Sequence, residues 1–258
     1  MKRIIFLTAV AAVAIMTSAA SYGQNAEKQA TSESKITGGY IFDGKLGGTD
    51  IRLLIDISED GNTVKGNYCY CKYDTKIQLE GVMNGDQIEL TEFLEGKPNG
   101  YFQGRIFTDN APRFEGTWAN AEKTKQLDVK TRSSIGGGGS YTLDKFYDYY
   151  GTNEEIEGFM KKVKQSIANG NKEWLSAHIN YPLKVKLNGQ KDMTIKNKQQ
   201  FIDNFDQIFY PAYKEKIKKL CVCYMDYNWR GIMLGNGHIW TDGKTIMSVN
   251  NGNEMVND

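Results

Sequence analysis

The stretch Ile51-Arg52-Leu53-Leu54-Ile55-Asp56-Ile57 carries apolar side chains at 51, 53, 55 and 57, with Arg52 and Asp56 between them and Leu54 adding a further apolar residue. A period of two belongs to a strand with one face in a core and the other turned outward, so the odd positions form the expected buried face. The alternation recurs at Ile77, Leu79 and Gly81, then at Ile88 and Leu90. Working outward from these runs predicts strands over Gly39–Phe42, Ile51–Ile57, Thr63–Lys72, Lys76–Val82, Gln87–Phe93, Tyr101–Phe107, Arg113–Trp118 and Leu127–Thr131. Their separators Asp60-Gly61-Asn62, Asn84-Gly85-Asp86 and Pro98-Asn99-Gly100 supply residues that tolerate hairpin turns. An antiparallel meander of about eight short strands leaves two costly edges unless it closes or pairs into a second sheet, so a barrel or a sandwich is expected.

Gly66-Asn67-Tyr68, Gly81-Val82-Met83, Gly104-Arg105-Ile106 and Phe114-Glu115-Gly116-Thr117-Trp118 set a glycine near an aromatic or aliphatic residue in successive hairpins. In this rhythm the module resembles the small β-barrels of the lipocalin and avidin type, which implies room for one small ligand. Tyr68, Tyr70 and Trp118, with Tyr73, Tyr101 and Phe102, are the candidates to line such a pocket, their hydroxyls fixing a polar ligand. The structural alternative places Tyr68 and Tyr70 on one strand face and Cys69 and Cys71 on the other.

From Thr152 the period changes. Thr152 and Glu155 have capping-box spacing, Ile156, Phe159, Met160, Val163 and Ile167 recur at helical intervals, and Gly170 is a C-terminal stop. A short helix over Lys172–Ala177 precedes Asn180-Tyr181-Pro182. Leu183, Val185 and Leu187 then alternate with lysines up to the hairpin signal Asn188-Gly189, and a strand ends near Ile195. A helix from about Lys198 to Phe209 carries a Phe201, Phe205, Ile208 and Phe209 stripe, and strands are predicted over Leu220–Tyr227, Arg230–Leu234, Gly237–Thr241 and Thr245–Val249. The fold class read from the whole is two domains, an all-β antiparallel meander followed by α+β with a curved antiparallel sheet.

The element order, with Ile179-Asn180-Tyr181-Pro182-Leu183, the helix to Phe209 and Gly231 to Trp240, resembles the nuclear-transport-factor-2-like, or SnoaL-like, cone fold. The resemblance implies a curved sheet around helices and a cavity, in a fold that hosts enzymes and binding modules alike. For an isomerase or hydrolase in that cavity the candidates are Asp206, His238 and Tyr181, with His178 and Tyr210 behind them, working as a proton-transferring pair tuned by burial. His238 and Trp240 are expected on one face of a strand, with His238 facing solvent or hydrogen-bonded and Trp240 a candidate ligand contact.

The chain opens with Lys2 and Arg3, an uncharged apolar run from Ile4 to Met16, and small residues through Ala20, the pattern of a secretory signal cleaved after Ala20 or Gly23. That run is too short to span a bilayer. The expected organisation is a signal peptide over 1–23, a polar leader over 24–34, a β module over 35–132, a Gly-rich linker over 133–143 and an α+β module over 144–258. The linker makes hinge motion the default unless a large apolar interface joins the modules. With 32 Lys and Arg against 31 Asp and Glu, and no basic block beyond Lys214–Lys219, nucleic acid is not an expected partner. Two histidines and Cys-x-Cys spacing argue against a metal site, and no motif calls for a cofactor. Cys69, Cys71, Cys221 and Cys223 read first as small apolar strand residues, with inter-strand or inter-domain disulfides as the alternative. The function expected is the binding of a small molecule or a protein partner by an exported protein, with catalysis in the second module's pocket as the alternative.

Overall fold

The computed structural model describes residues 35–134, 143, 146–147, 150–187 and 191–252. The expected signal peptide and leader, the Gly136–Gly139 run and the Asn188-Gly189 turn lie outside the described residues. The described residues, from Lys35 onward, belong to one compact unit.

All eight predicted strands form: β1 (Gly38–Leu46), β2 (Thr49–Ile57), β3 (Thr63–Tyr70), β4 (Lys76–Asn84), β5 (Gln87–Leu94), β6 (Lys97–Phe107), β7 (Arg113–Asn120) and β8 (Gln126–Ser133). They run up and down in sequence order, and β8 returns to pair with β1, so the edges that an open meander would expose are removed and the module is a closed barrel. Closure is tight where Gly44 faces Thr131, because a Cβ on Gly44 would overlap the Lys130 carbonyl oxygen. Ile51, Leu53, Ile55 and Ile57 point inward with Phe42, Tyr68, Leu79, Leu90, Phe102 and Phe114, so the barrel is packed with side chains.

The second module begins with α1 (Asn153–Asn169), capped reciprocally by Thr152 and Glu155 and ended by Gly170 at φ 68°, where the absence of a Cβ makes the left-handed turn inexpensive. It continues through α2 (Lys172–Ala177), β9 (Ile179–Lys186), β10 (Met193–Ile195), α3 (Lys198–Ile208), α4 (Pro211–Lys219), β11 (Tyr227–Asn228), β12 (Gly231–Leu234), β13 (Ile239–Thr241) and β14 (Ile246–Asn250). The sheet order is β10-β9-β14-β13-β12-β11. Every pair is antiparallel except β9 with β14, so the sheet is mixed. Pro182 does not stop β9. It sits where the β9–β14 register jumps from Ile246–Ile179 to Ser248–Lys184, an irregularity in which a missing amide hydrogen leaves no ladder bond unmade. Phe201, Phe205, Phe209 and Tyr213 contact one another in sequence, edge-on, then tilted, then stacked, within the module's core.

Of the strand expected over Leu220–Tyr227, only Tyr227 lies in a strand, β11. Residues 220–225 instead lie against the outside of the barrel, and side chains rather than a ladder satisfy their backbone. Lys164 Nζ donates to the Leu220 carbonyl (2.5 Å) and the Val222 amide to Asp74 Oδ1 (3.1 Å). The Tyr224 amide donates to Glu157 Oε1 (2.9 Å), Arg52 Nη1 to the Tyr224 carbonyl (2.8 Å) and the Met225 amide to the Tyr147 hydroxyl (2.8 Å). Two disulfides fasten the same segment, Cys69–Cys223 and Cys71–Cys221, with Cα atoms 6.7 and 4.2 Å apart. All four cysteines therefore cross-link the modules, which replaces their reading as plain strand-face residues.

The outer barrel face under this segment is apolar where the strand pattern is out of phase. Ile41, Leu54, Cys69 and Cys71 belong to the second module's core and not to the barrel interior. Lys164 and Asp74 form an ion pair at 2.7 Å with both side chains 8% exposed, and Lys76 reaches Glu157 at 2.9 Å. The hinge expected from the linker's composition is overruled by this continuous core and by the two covalent cross-links.

Candidate functional site

The clamp leaves a cleft of about 980 Å³ where the β1–β2 hairpin and β8 face the last turn of α4 and the turn before β13. Its wall includes the Cys71–Cys221 bridge, Leu127 and Leu220, an apolar strip between polar rims. The volume is that of a site for a drug-sized organic molecule. Both modules contribute, so the cleft exists only because the disulfides and the Arg52 network fix one against the other.

Arg52 anchors its floor. The guanidinium grips Asp43 in a fork, with Nε–Oδ1 2.6 Å and Nη2–Oδ2 2.8 Å, while Nη2 also donates to the Ser134 hydroxyl at 3.2 Å. Burial works against its charge, but Asp43 and Asp226 more than offset that and hold Arg52 protonated at every accessible pH. Burial pushes the Asp43 carboxyl up, and the Arg52 charge and hydrogen bonds outweigh it, leaving the group below the usual carboxylate range. Burial prevails at Asp226, which is raised despite Arg52.

Six cations line the cleft against three carboxylates. Two of those carboxylates are already engaged, Asp43 by Arg52 and Asp50 by Lys45 at 2.6 Å. A second cleft of about 740 Å³ reaches Tyr224 and has the opposite balance, with Lys65, Lys76 and Lys161 against Asp74, Glu80, Glu154 and Glu157. Its charges largely pair within the interface, as Lys76 with Glu157 and Asp74 with Lys164. The larger cleft is the one with charge to spare.

Tyr68, Tyr70 and Trp118 do converge, inside one end of the barrel, on a residue that pattern reasoning missed. Glu92, 2% exposed, accepts from the Tyr68 hydroxyl (2.7 Å), from Trp118 Nε1 (2.8 Å) and from Asn99 Nδ2. Burial, then the Glu92 carboxylate, pushes the Tyr68 phenol far up, so Tyr68 stays a proton donor. Tyr70 packs edge-on to Tyr68 at 5.4 Å, and Gly100 makes room for the indole, since a Cβ there would lie 2.5 Å from Trp118 Nε1. The cluster is a satisfied polar plug. Glu92 falls in phase with Ile88 and Leu90, and a carboxylate at an inward position was the sequence signal for it. Tyr73 is 65% exposed and touches the cluster only through Tyr70, edge-on at 6.5 Å.

Of the catalytic candidates, His238 lines the larger cleft, while Asp206, Tyr181 and His178 lie away from it. Asp206 lies on the exposed side of α3 and pairs with Lys172 (2.9 Å) and Lys214 (3.4 Å); these hydrogen bonds and charges hold its carboxyl below the usual range. The Tyr181 hydroxyl donates to the Ser176 carbonyl at 3.0 Å, and burial raises its phenol. His238 is 3% exposed and precedes β13, so of the two expected environments it takes the hydrogen-bonded one and not the solvent-facing one; its Nδ1 donates to the Asn250 carbonyl at 3.3 Å and the ring packs on Tyr213. Trp240, half-buried in β13, pairs with Met233 and Ser248. His178 donates from Nδ1 to the Trp174 carbonyl at 2.7 Å and stacks on that indole.

Among the described residues no helix is long and apolar enough to cross a membrane. No family model matches the chain, and no curated protein and no solved structure matches it.

Proposed function

We propose that the chain is an exported binding protein whose small ligand lodges in the cleft between the barrel and the second module. The observation that carries this reading is the 980 Å³ cleft, walled by both modules and pinned by two disulfides. A preformed concavity with an apolar strip and polar rims is what ligand sites share. Export is supported by the N-terminal charged, apolar and small-residue pattern and by the paired cysteines, which persist as disulfides in oxidising compartments. The four helices against a six-stranded sheet favour a nuclear-transport-factor-2-like second module, as the element order does. In that module Phe201, Phe205 and Phe209 are fully buried and pack on one another within the core. A carrier role therefore fits the geometry better than an isomerase or hydrolase.

Native mass spectrometry of the mature protein from its own host, beside the denatured sample, tests the reading. A co-purified small molecule is expected, lost on Gln126→Trp, a substitution of an exposed cleft residue. Without reductant none of the four cysteines should take up an alkylating reagent. Turnover of any substrate that depends on Asp206 or His238 would sink the proposal.

A further inference from the structure

We infer that the ligand of this cleft is an organic polyanion, carrying at least two carboxylate, sulfate or phosphate groups on a body that covers the Cys71–Cys221 strip. This rests on the cleft being the binding site. It adds the chemical class.

The inference comes from how the cations are placed. Lys45 and Lys130 stand directly opposite each other across the β1–β8 seam that closes the barrel. Like charges at opposed positions destabilise a sheet, so folding alone gives no reason to put two lysines there. Asp50 compensates Lys45 from the far strand. Lys130 has Glu115 as its partner on β7, but that carboxylate is drawn to Arg113 at 3.0 Å. Arg132 continues the row on β8, and across the cleft α4 presents Lys216 and Lys219 in its basic last turn.

Positive charge thus reaches the cleft from four elements, β1, β2, β8 and α4, around an apolar strip. A chain with formal charge of only +1 concentrates an excess of three cations here, six less three, while the other inter-module cleft holds an excess of one carboxylate, four less three. A concave, low-dielectric wall focuses such a field on whatever enters. An anion held between Lys130 and Lys219 would relieve the repulsion along the seam while gaining from both sides. A neutral ligand would leave it in place.

Titration calorimetry on the full mature protein tests this with four probes: a trisulfated disaccharide, its unsulfated parent, citrate and inorganic pyrophosphate. At least one organic anionic probe should bind, the neutral disaccharide should not, and the double variant Lys130→Glu/Lys219→Glu should weaken binding about tenfold or more, as should a rise from low to high salt; binding of pyrophosphate alone would overturn the organic body. Which anion binds separates sulfated glycans, small carboxylates and phosphate esters as sources. Both lysines are exposed, and an unchanged urea unfolding curve certifies the fold of the variant. Binding of the neutral parent as tightly as the sulfated form, or of no anion at all, overturns the inference. Binding lost in Gln126→Trp yet untouched in the charge-reversal variant overturns the anion class and keeps the cleft. Binding untouched in both variants overturns the cleft itself.

Discussion

The two disulfides should contribute about equally, but not additively, to stability. Cys69–Cys223 spans 154 positions and Cys71–Cys221 spans 150, and they form successive rungs between two short segments running in opposite directions. In the unfolded chain the first bridge to close shuts a loop of about 150 residues, which chain entropy values at about 5 kcal/mol. With it closed, the second shuts a ring of only about six residues and adds about 2 kcal/mol. Removing either bridge alone, as Cys69→Ala/Cys223→Ala or Cys71→Ala/Cys221→Ala, should therefore cost about 2 kcal/mol beyond the lost sulfur packing. Removing both should cost about 7, which is about 3 more than the two single losses together. The packing loss of the four thiols enters the single and combined variants alike, so it cancels from this coupling. Urea unfolding at neutral pH without reductant, followed by tryptophan fluorescence, measures all four states of the cycle. A combined loss equal to the sum of the single losses would refute the reasoning, because the bridges would then be constraining separate parts of the unfolded chain.

Lys164→Met should cost about 3–5 kcal/mol in the same assay, because it strands Asp74 in a buried site. Tyr68→Phe takes one of three donors from buried Glu92 and should cost about 1–3 kcal/mol, with loss of near-ultraviolet dichroism from the barrel end. Asp43 is depressed in the folded state, so between its folded value and about pH 4 the unfolded chain binds more protons, and stability falls as acid is added through that window. Asp43→Asn should flatten this acid limb. Asp226 is raised and acts with the opposite sign, so Asp226→Asn should stabilise the protein at neutral pH and remove a gain seen as pH falls toward 4, both read from unfolding midpoints across a pH series.

The barrel was legible because its information is local. Ile51, Leu53, Ile55 and Ile57 dictate which way a strand faces, and Asn84-Gly85-Asp86 dictates where the next begins, with no reference to distant residues. Thr152 and Glu155 cap α1 across three positions for the same reason. The segment after Leu220 misled because its alternation satisfies a strand template, yet the groups that meet its amides are Asp74, Glu157 and Tyr147, far away in sequence. Leu54 marked the docking face, being apolar where the strand's period calls for a polar residue, but one out-of-phase residue does not name what covers it.

The sequence by itself determined the barrel strands, the first three helices and the barrel's inward side chains, since each follows from the spacing of neighbours along the chain. Tertiary structure alone decided that Cys69 and Cys71 meet Cys223 and Cys221, that Arg52 is buried under a second module, and that Lys130 and Lys219 face one cleft. Those pairings join residues roughly 90 to 170 positions apart, and contacts at that separation leave no period in the sequence: they are fixed only when two finished surfaces pack.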